Sequence, residues 1–120
     1  MKKPTILIAD DEPIARSNIR SFLEARYDCK LQEAKDGDEA MQFVKSSPCD
    51  VIILDIKMPK KDGLETLKEL KKISPSSKVI IATGYKSADI AQEAMRLGAS
   101  DYIVKPFNRD NITKMVQKLS

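Results

Sequence analysis

Three apolar runs constrain this chain more than any other feature: Ile6-Leu7-Ile8-Ala9, Val51-Ile52-Ile53-Leu54 and Val79-Ile80-Ile81-Ala82. Each reads as a buried strand, and the unbroken 51–54 run is what a central parallel strand covered on both faces requires. Parallel strands need crossovers, and helical spacing fills the gaps between the runs. Beyond Pro13, Ile14, Ile19, Phe22 and Leu23 are expected on one helical face. Cys29, Leu31 and Ala34 then suggest a short strand closed by Asp36-Gly37, and Ala40, Met41 and Val44 mark a helix stopping before Pro48.

The same alternation continues. Asp62 with Glu65 resembles a capping box, and Leu64, Leu67, Leu70 and Ile73 give the next helix an expected inward stripe ended by Ser74-Pro75. Ser87 caps a helix whose expected buried side is Ile90, Ala91, Ala94, Met95 and Leu97, with Gly98 as its stop. Tyr102-Ile103-Val104 is the fifth strand, and Ile112, Met115, Val116 and Leu119 line one face of a final helix. Five strands alternating with five helices predict an α/β sandwich with right-handed crossovers, occupying residues 1–120 as one domain.

Composition agrees with a single core: 120 residues, 42% hydrophobic and 32% charged. No stretch approaches the roughly 18 to 20 apolar residues of a membrane span, and the N-terminus meets acid too early for a signal peptide, so a cytoplasmic, non-membrane location is expected. The net charge is +3, and the lysines between residues 57 and 78 are interleaved with Asp62, Glu65 and Glu69 and lack companion aromatics, which predicts a solvated helix face and no direct nucleic-acid binding. Cys29 and Cys49 have neither CxxC nor zinc spacing and are expected to be free thiols. The chain has no histidine, which excludes His-based triads and His metal sites.

What breaks each strand is the chemically informative part: Asp10 and Asp11 after the first, Asp55 after the third, Thr83 after the fourth and Lys105 after the fifth. In a parallel sheet these carboxyl ends share one edge, where open α/β folds place ligands. Singly, each has an ordinary explanation as a turn, a cap or a solvated lysine. Together they suggest a site. Three carboxylates held close would raise one another's pKa unless a cation intervened, and an oxygen-only set suits Mg²⁺, with Mn²⁺ as the alternative. A carboxylate can also attack phosphorus, with Lys105 and the Thr83 hydroxyl holding other phosphoryl oxygens; Asp55, central in this arrangement, is the expected nucleophile.

The segments ILIADDEP, VIILDIKMPKKDG, VIIATGY and LGASDYIVKPF occur in the order and on the elements of a response-regulator receiver domain of two-component signalling. The chain resembles that family over essentially its whole length. The resemblance implies a flavodoxin-like (βα)5 three-layer sandwich with strand order 2-1-3-4-5, as in chemotaxis receivers. It also implies that Asp10, Asp11, Asp55 and the Lys57 carbonyl hold the metal, that Asp55 is phosphorylated, and that Thr83 and Lys105 contact the phosphoryl group. Tyr102 would be the aromatic switch coupled to Thr83, and Pro106 would follow a cis peptide. The implied partners are a sensor histidine kinase or histidine phosphotransfer protein, since this chain supplies no histidine, and a downstream protein or effector domain. The signalling face would be the fourth helix, fifth strand and fifth helix, with phosphorylation-dependent homodimerisation through it as a further expectation. Such a domain is a switch that catalyses its own phosphoryl transfer and dephosphorylation, rather than an enzyme acting on external substrates.

Two departures stand out: Gly84 follows Thr83 where many relatives carry alanine, and Lys57 sits two residues beyond the acceptor. A haloacid-dehalogenase-like phosphatase also ends a strand on a nucleophilic aspartate but needs a second acid where this chain has Lys57. A flavodoxin-like cofactor binder needs a phosphate cradle where Asp10-Asp11-Glu12 would repel it.

Overall fold

The computed structural model describes residues 3–56, 63–84, 87–105 and 109–119. Strands and helices alternate along the chain as β1 (Thr5–Ala9), α1 (Pro13–Arg26), β2 (Lys30–Ala34), α2 (Gly37–Ser46), β3 (Val51–Leu54), α3 (Gly63–Ile73), β4 (Lys78–Thr83), α4 (Ala88–Arg96), β5 (Asp101–Val104) and α5 (Arg109–Leu119). The strands form one parallel sheet in the order β2-β1-β3-β4-β5.

Strand alternation divides the interior into two cores. Leu7, Ala9, Ile52, Leu54, Val79 and Ile81 face α2, α3 and α4, meeting Ala40, Met41, Val44, Leu67, Leu70 and Ala94. Ile6, Ile8, Val51, Ile53, Ile80 and Ala82 face α1 and α5, meeting Ile19, Leu23, Ile112 and Val116. The central strands are therefore covered on both sides, which is why their apolar runs are unbroken; burying one such aliphatic side chain contributes about 1.5–3 kcal/mol. At the edge, β2 carries exposed Lys30, Gln32 and Glu33 and buries only Ala34.

Helix boundaries follow local chemistry. Pro13 opens α1 at a position needing no backbone donor. Asp36 accepts from Glu39 N at 2.9 Å to cap α2, and Ser87 accepts from Ile90 N at 3.3 Å to cap α4. Gly98 ends α4 with φ of 109°, a conformation that costs a β-carbon residue. Cys29 and Cys49 are free thiols, placed ahead of β2 and β3.

Three expected core positions are instead exposed: Ile14 by 76%, Met95 by 47% and Ile73 by 42%. The reason is angular. At about 100° per residue, Ile14 stands on the opposite side of α1 from Leu23, and Met95 is about a quarter-turn away from Ala94. Ile73 lies in the last turn of α3, past the stripe that Leu67 and Leu70 bury.

Candidate functional site

The sheet's hydrogen-bond ladder continues one residue beyond three of its strands. Asp10 N donates to Ala34 O at 3.0 Å, Asp55 N to Ala9 O at 2.9 Å and Lys105 N to Thr83 O at 2.8 Å. Backbone pairing thus sets Asp10, Asp55, Thr83 and Lys105 along one edge. Of these, Asp55, Thr83 and Lys105, together with Asp11, Glu12 and Gly84, line an open cavity of about 370 Å³.

Asp10 is 2% exposed and Asp55 5% exposed, so neither carboxylate is left to bulk water. Both meet the same cation: Lys105 Nζ donates to Asp10 Oδ2 at 2.5 Å and to Asp55 Oδ2 at 3.2 Å. The other Asp10 oxygen, Oδ1, accepts from Glu12 N at 3.0 Å, which folds the chain tightly into α1. Burial works against the Lys105 charge and is the largest single influence on it. The Asp10 hydrogen bond and the charges of Asp10 and Asp55 together outweigh that effect and hold the ammonium above its ordinary pKa.

Among the described residues, Lys105 meets a larger acidic cluster than Asp10 and Asp55 alone. Carboxylate oxygens of Asp10, Asp11, Glu12 and Asp55 all lie within 4.8 Å of one another. At an effective dielectric of about 20, a pair of charges at such a distance repels by about 3 to 4 kcal/mol. Among the described residues, these four acids face the Lys105 ammonium, with the Arg16 guanidinium behind them on the Asp10 carbonyl, and the donors of the cluster are all hard oxygens. That donor set fits Mg²⁺ or Mn²⁺ and offers nothing to a soft metal.

Gly63 supplies a second restraint on the end of β3. Its N–H donates to Ile56 O at 2.9 Å, and a β-carbon there would stand 2.3 Å from Ile56 Cα and 2.8 Å from Asp55 O. Only glycine lets α3 start this close to the backbone of Asp55. Gly84 is the opposite case, with nothing within 4 Å of an added β-carbon.

Thr83 is fully buried at the end of β4, and Tyr102 is half-buried on β5. Tyr102 pairs with Ile81 and Val104 with Thr83, so in this parallel register all four share the sheet face covered by α4, where Tyr102 packs against the core.

Asp10, Asp11, Asp55, Thr83 and Lys105, named from sequence, are therefore brought to one edge. The Lys57 carbonyl, the Asp62 half of the capping box and the Pro106 peptide lie outside the described residues. Sequence reasoning missed Glu12 as a fourth acid of the cluster, although it adjoins the Asp pair, and missed the contact that requires Gly63. It also missed Arg16, which donates to Asp10 O at 2.6 Å; no spacing rule marks that bond.

The family model for the response regulator receiver domain matches residues 6–117. The chain belongs to the receiver-domain family. It is 35% identical over 114 residues to protein CcdB of Bacillus subtilis, covering 95% of each chain. To the chemotaxis protein CheY of Thermotoga maritima it is 33% identical, covering 96% of each. It is 38% identical to the transcriptional regulatory protein ZraR of Klebsiella oxytoca over 89% of this chain, and spans only 24% of that longer relative. Among solved structures, a CheY-like receiver domain protein from Methanospirillum hungatei superimposes with a TM-score of 0.93 at 26% identity, covering 98% of this chain and 93% of the other. This receiver domain is thus similar both to proteins of its own length and to the receiver portion of larger regulators. Its flavodoxin-like topology is the one expected from sequence.

Proposed function

We propose that this receiver domain is the phosphoacceptor of a two-component system, taking a phosphoryl group on Asp55 from a phosphohistidine of a sensor kinase or phosphotransfer protein. The supporting observation is the convergence of Asp10, Asp11, Glu12 and Asp55 within 4.8 Å around a Lys105 ammonium. In the transfer, an Asp55 carboxylate oxygen forms a bond to phosphorus as the P–N bond of the donor imidazole breaks. The electron pair of that bond leaves on the imidazole nitrogen, which is protonated from solvent. Asp10, Asp11 and Asp55, with the Lys57 carbonyl, would hold Mg²⁺ or Mn²⁺, which when bound offsets charge on the transferred oxygens. Lys105 neutralises part of the same charge from the side of Asp10, and the Thr83 hydroxyl donates to a phosphoryl oxygen. Positioning and electrostatic stabilisation of this kind dominate phosphoryl transfer.

The sheet face shared by Thr83 and Tyr102 supports a route from the site to an output. A dianionic group on Asp55 is a new partner for Thr83, and movement of the β4–α4 connection towards it opens space for Tyr102 to turn inward. The α4-β5-α5 surface then changes for a downstream protein or effector domain, or for a second copy of the chain. The bias equals the difference in interaction energy that phosphorylation makes with the two conformations. Incubation with Mg²⁺ and a small phosphodonor, read by intact mass, is expected to give one phosphoryl adduct on the wild type and none on Asp55→Asn. Equal modification of both proteins would overturn the acceptor assignment.

A further inference from the structure

We propose that Arg16 is a positioning residue for the divalent-cation site, acting through the Asp10 backbone, with Glu33 on β2 holding Arg16 in place; this rests on the cation-binding reading above. Arg16 Nη1 donates to Asp10 O at 2.6 Å while its Nε donates to Glu33 Oε1 at 3.0 Å. Glu33 is held in turn by Arg20, whose Nε donates to Glu33 Oε2 at 2.7 Å and whose Nη2 reaches Leu31 O at 3.3 Å. The Arg16 side chain is only 17% exposed. One guanidinium therefore spans from the turn carrying the acids to the edge strand, which a lysine's single ammonium cannot do in the same way.

The consequence lies in how Asp10 is fixed. Its N–H is bound to Ala34 O, its carbonyl to Arg16, and its two carboxylate oxygens to Glu12 N and Lys105. A cation entering the cluster competes with Lys105 for the Asp10 carboxylate, so the contacts to Ala34, Glu12 and Arg16 must keep the turn in register. Of these, Arg16 is the one contributed by a side chain of another turn. Outer partners that orient metal ligands raise metal affinity by restricting ligand motion.

Coulomb's law and positioning make opposite forecasts here, which makes the proposal decidable. Arg16 is a positive charge behind an acidic cluster, so deleting it should strengthen cation binding if only charge matters. If Arg16 sets the turn, deletion should weaken binding.

The test is Mn²⁺ binding to the full chain, followed by the electron paramagnetic resonance signal of free Mn²⁺, with no phosphodonor present. Arg16→Met is expected to weaken binding by about tenfold, the low end for an outer partner of metal ligands. Arg16→Lys is expected to be intermediate, because it restores the charge and one donor but not the span to Glu33. Arg26→Met, which removes the same charge at the far end of α1, is expected to leave affinity unchanged. Unchanged or tighter binding in Arg16→Met would overturn the proposal, even if its melting temperature fell. If Arg16→Met does not fold, Arg16→Lys decides, and wild-type affinity in that variant overturns it. Absence of Mn²⁺ binding by the wild type would instead refute the cation-site reading itself.

Discussion

Lys105 Nζ stands 2.5 Å from Asp10 Oδ2 and 3.2 Å from Asp55 Oδ2, joining residues that are 95 and 50 positions away in the chain. The ammonium holds together two buried acids that would otherwise repel. Replacing it removes both hydrogen bonds and leaves the acids with fewer compensating donors. Lys105→Met is expected to cost about 2 to 3 kcal/mol of folding stability in EDTA, measured by urea denaturation. Saturating Mg²⁺ should recover more stability in this variant than in the wild type, because the cation then has no competing ammonium.

Two glycines near the site should respond oppositely to the same substitution. Gly63→Ala forces a β-carbon against the Ile56 and Asp55 backbone, and is expected to lower stability by about 2 to 3 kcal/mol and to reduce adduct formation on Asp55. Gly84→Ala meets open space and no positive φ, so stability should rise by about 0.4 to 1 kcal/mol through the unfolded chain. Denaturant midpoints of the two variants check both signs.

Helix α1 offers a matched pair of apolar truncations. Ile14 is 76% exposed, so Ile14→Ser should change stability by no more than about 0.5 kcal/mol. Leu23 is fully buried between the sheet and α5, and Leu23→Ala should cost about 2 to 5 kcal/mol. Comparable losses in the two variants would contradict the helix orientation.

Alkaline pH should expose the burial of Cys49. Burial first, and the neighbouring Asp50 charge second, push its thiol from the ordinary 9.0 up to about 11. The unfolded chain therefore loses this proton before the folded protein does, and the resulting contribution to stability is complete below pH 9.0 and disappears as pH rises to about 11. Between those values the melting temperature of the wild type should fall more steeply than that of Cys49→Ala. Identical slopes would show that the thiol does not sense burial.

Periodicity alone carried most of the architecture. The runs at Ile6, Val51 and Val79 could be read as central strands because a strand covered on both faces must be apolar at every position, and β1, β3 and β4 are so covered. Caps at Ser87 and Gly98 were legible because their requirements are local: an oxygen for a free N–H, and a positive φ without a β-carbon. The exposed Ile14 and Met95 were not legible as such, since apolar character does not report the angle at which a helix meets its sheet.

For the site, residue types and their places at strand ends were available from the chain alone, because parallel strands put their carboxyl ends on one edge. The distances were not. That Lys105 lies between Asp10 and Asp55, that Glu12 joins their cluster, that Gly63 rests on the Asp55 backbone and that Arg16 ties the acidic turn to Glu33 all depend on strand order and helix placement. Local propensity acts between near neighbours in sequence, whereas hydrogen bonds and charge repulsion act through space, so only the packed sheet decides which of these groups meet.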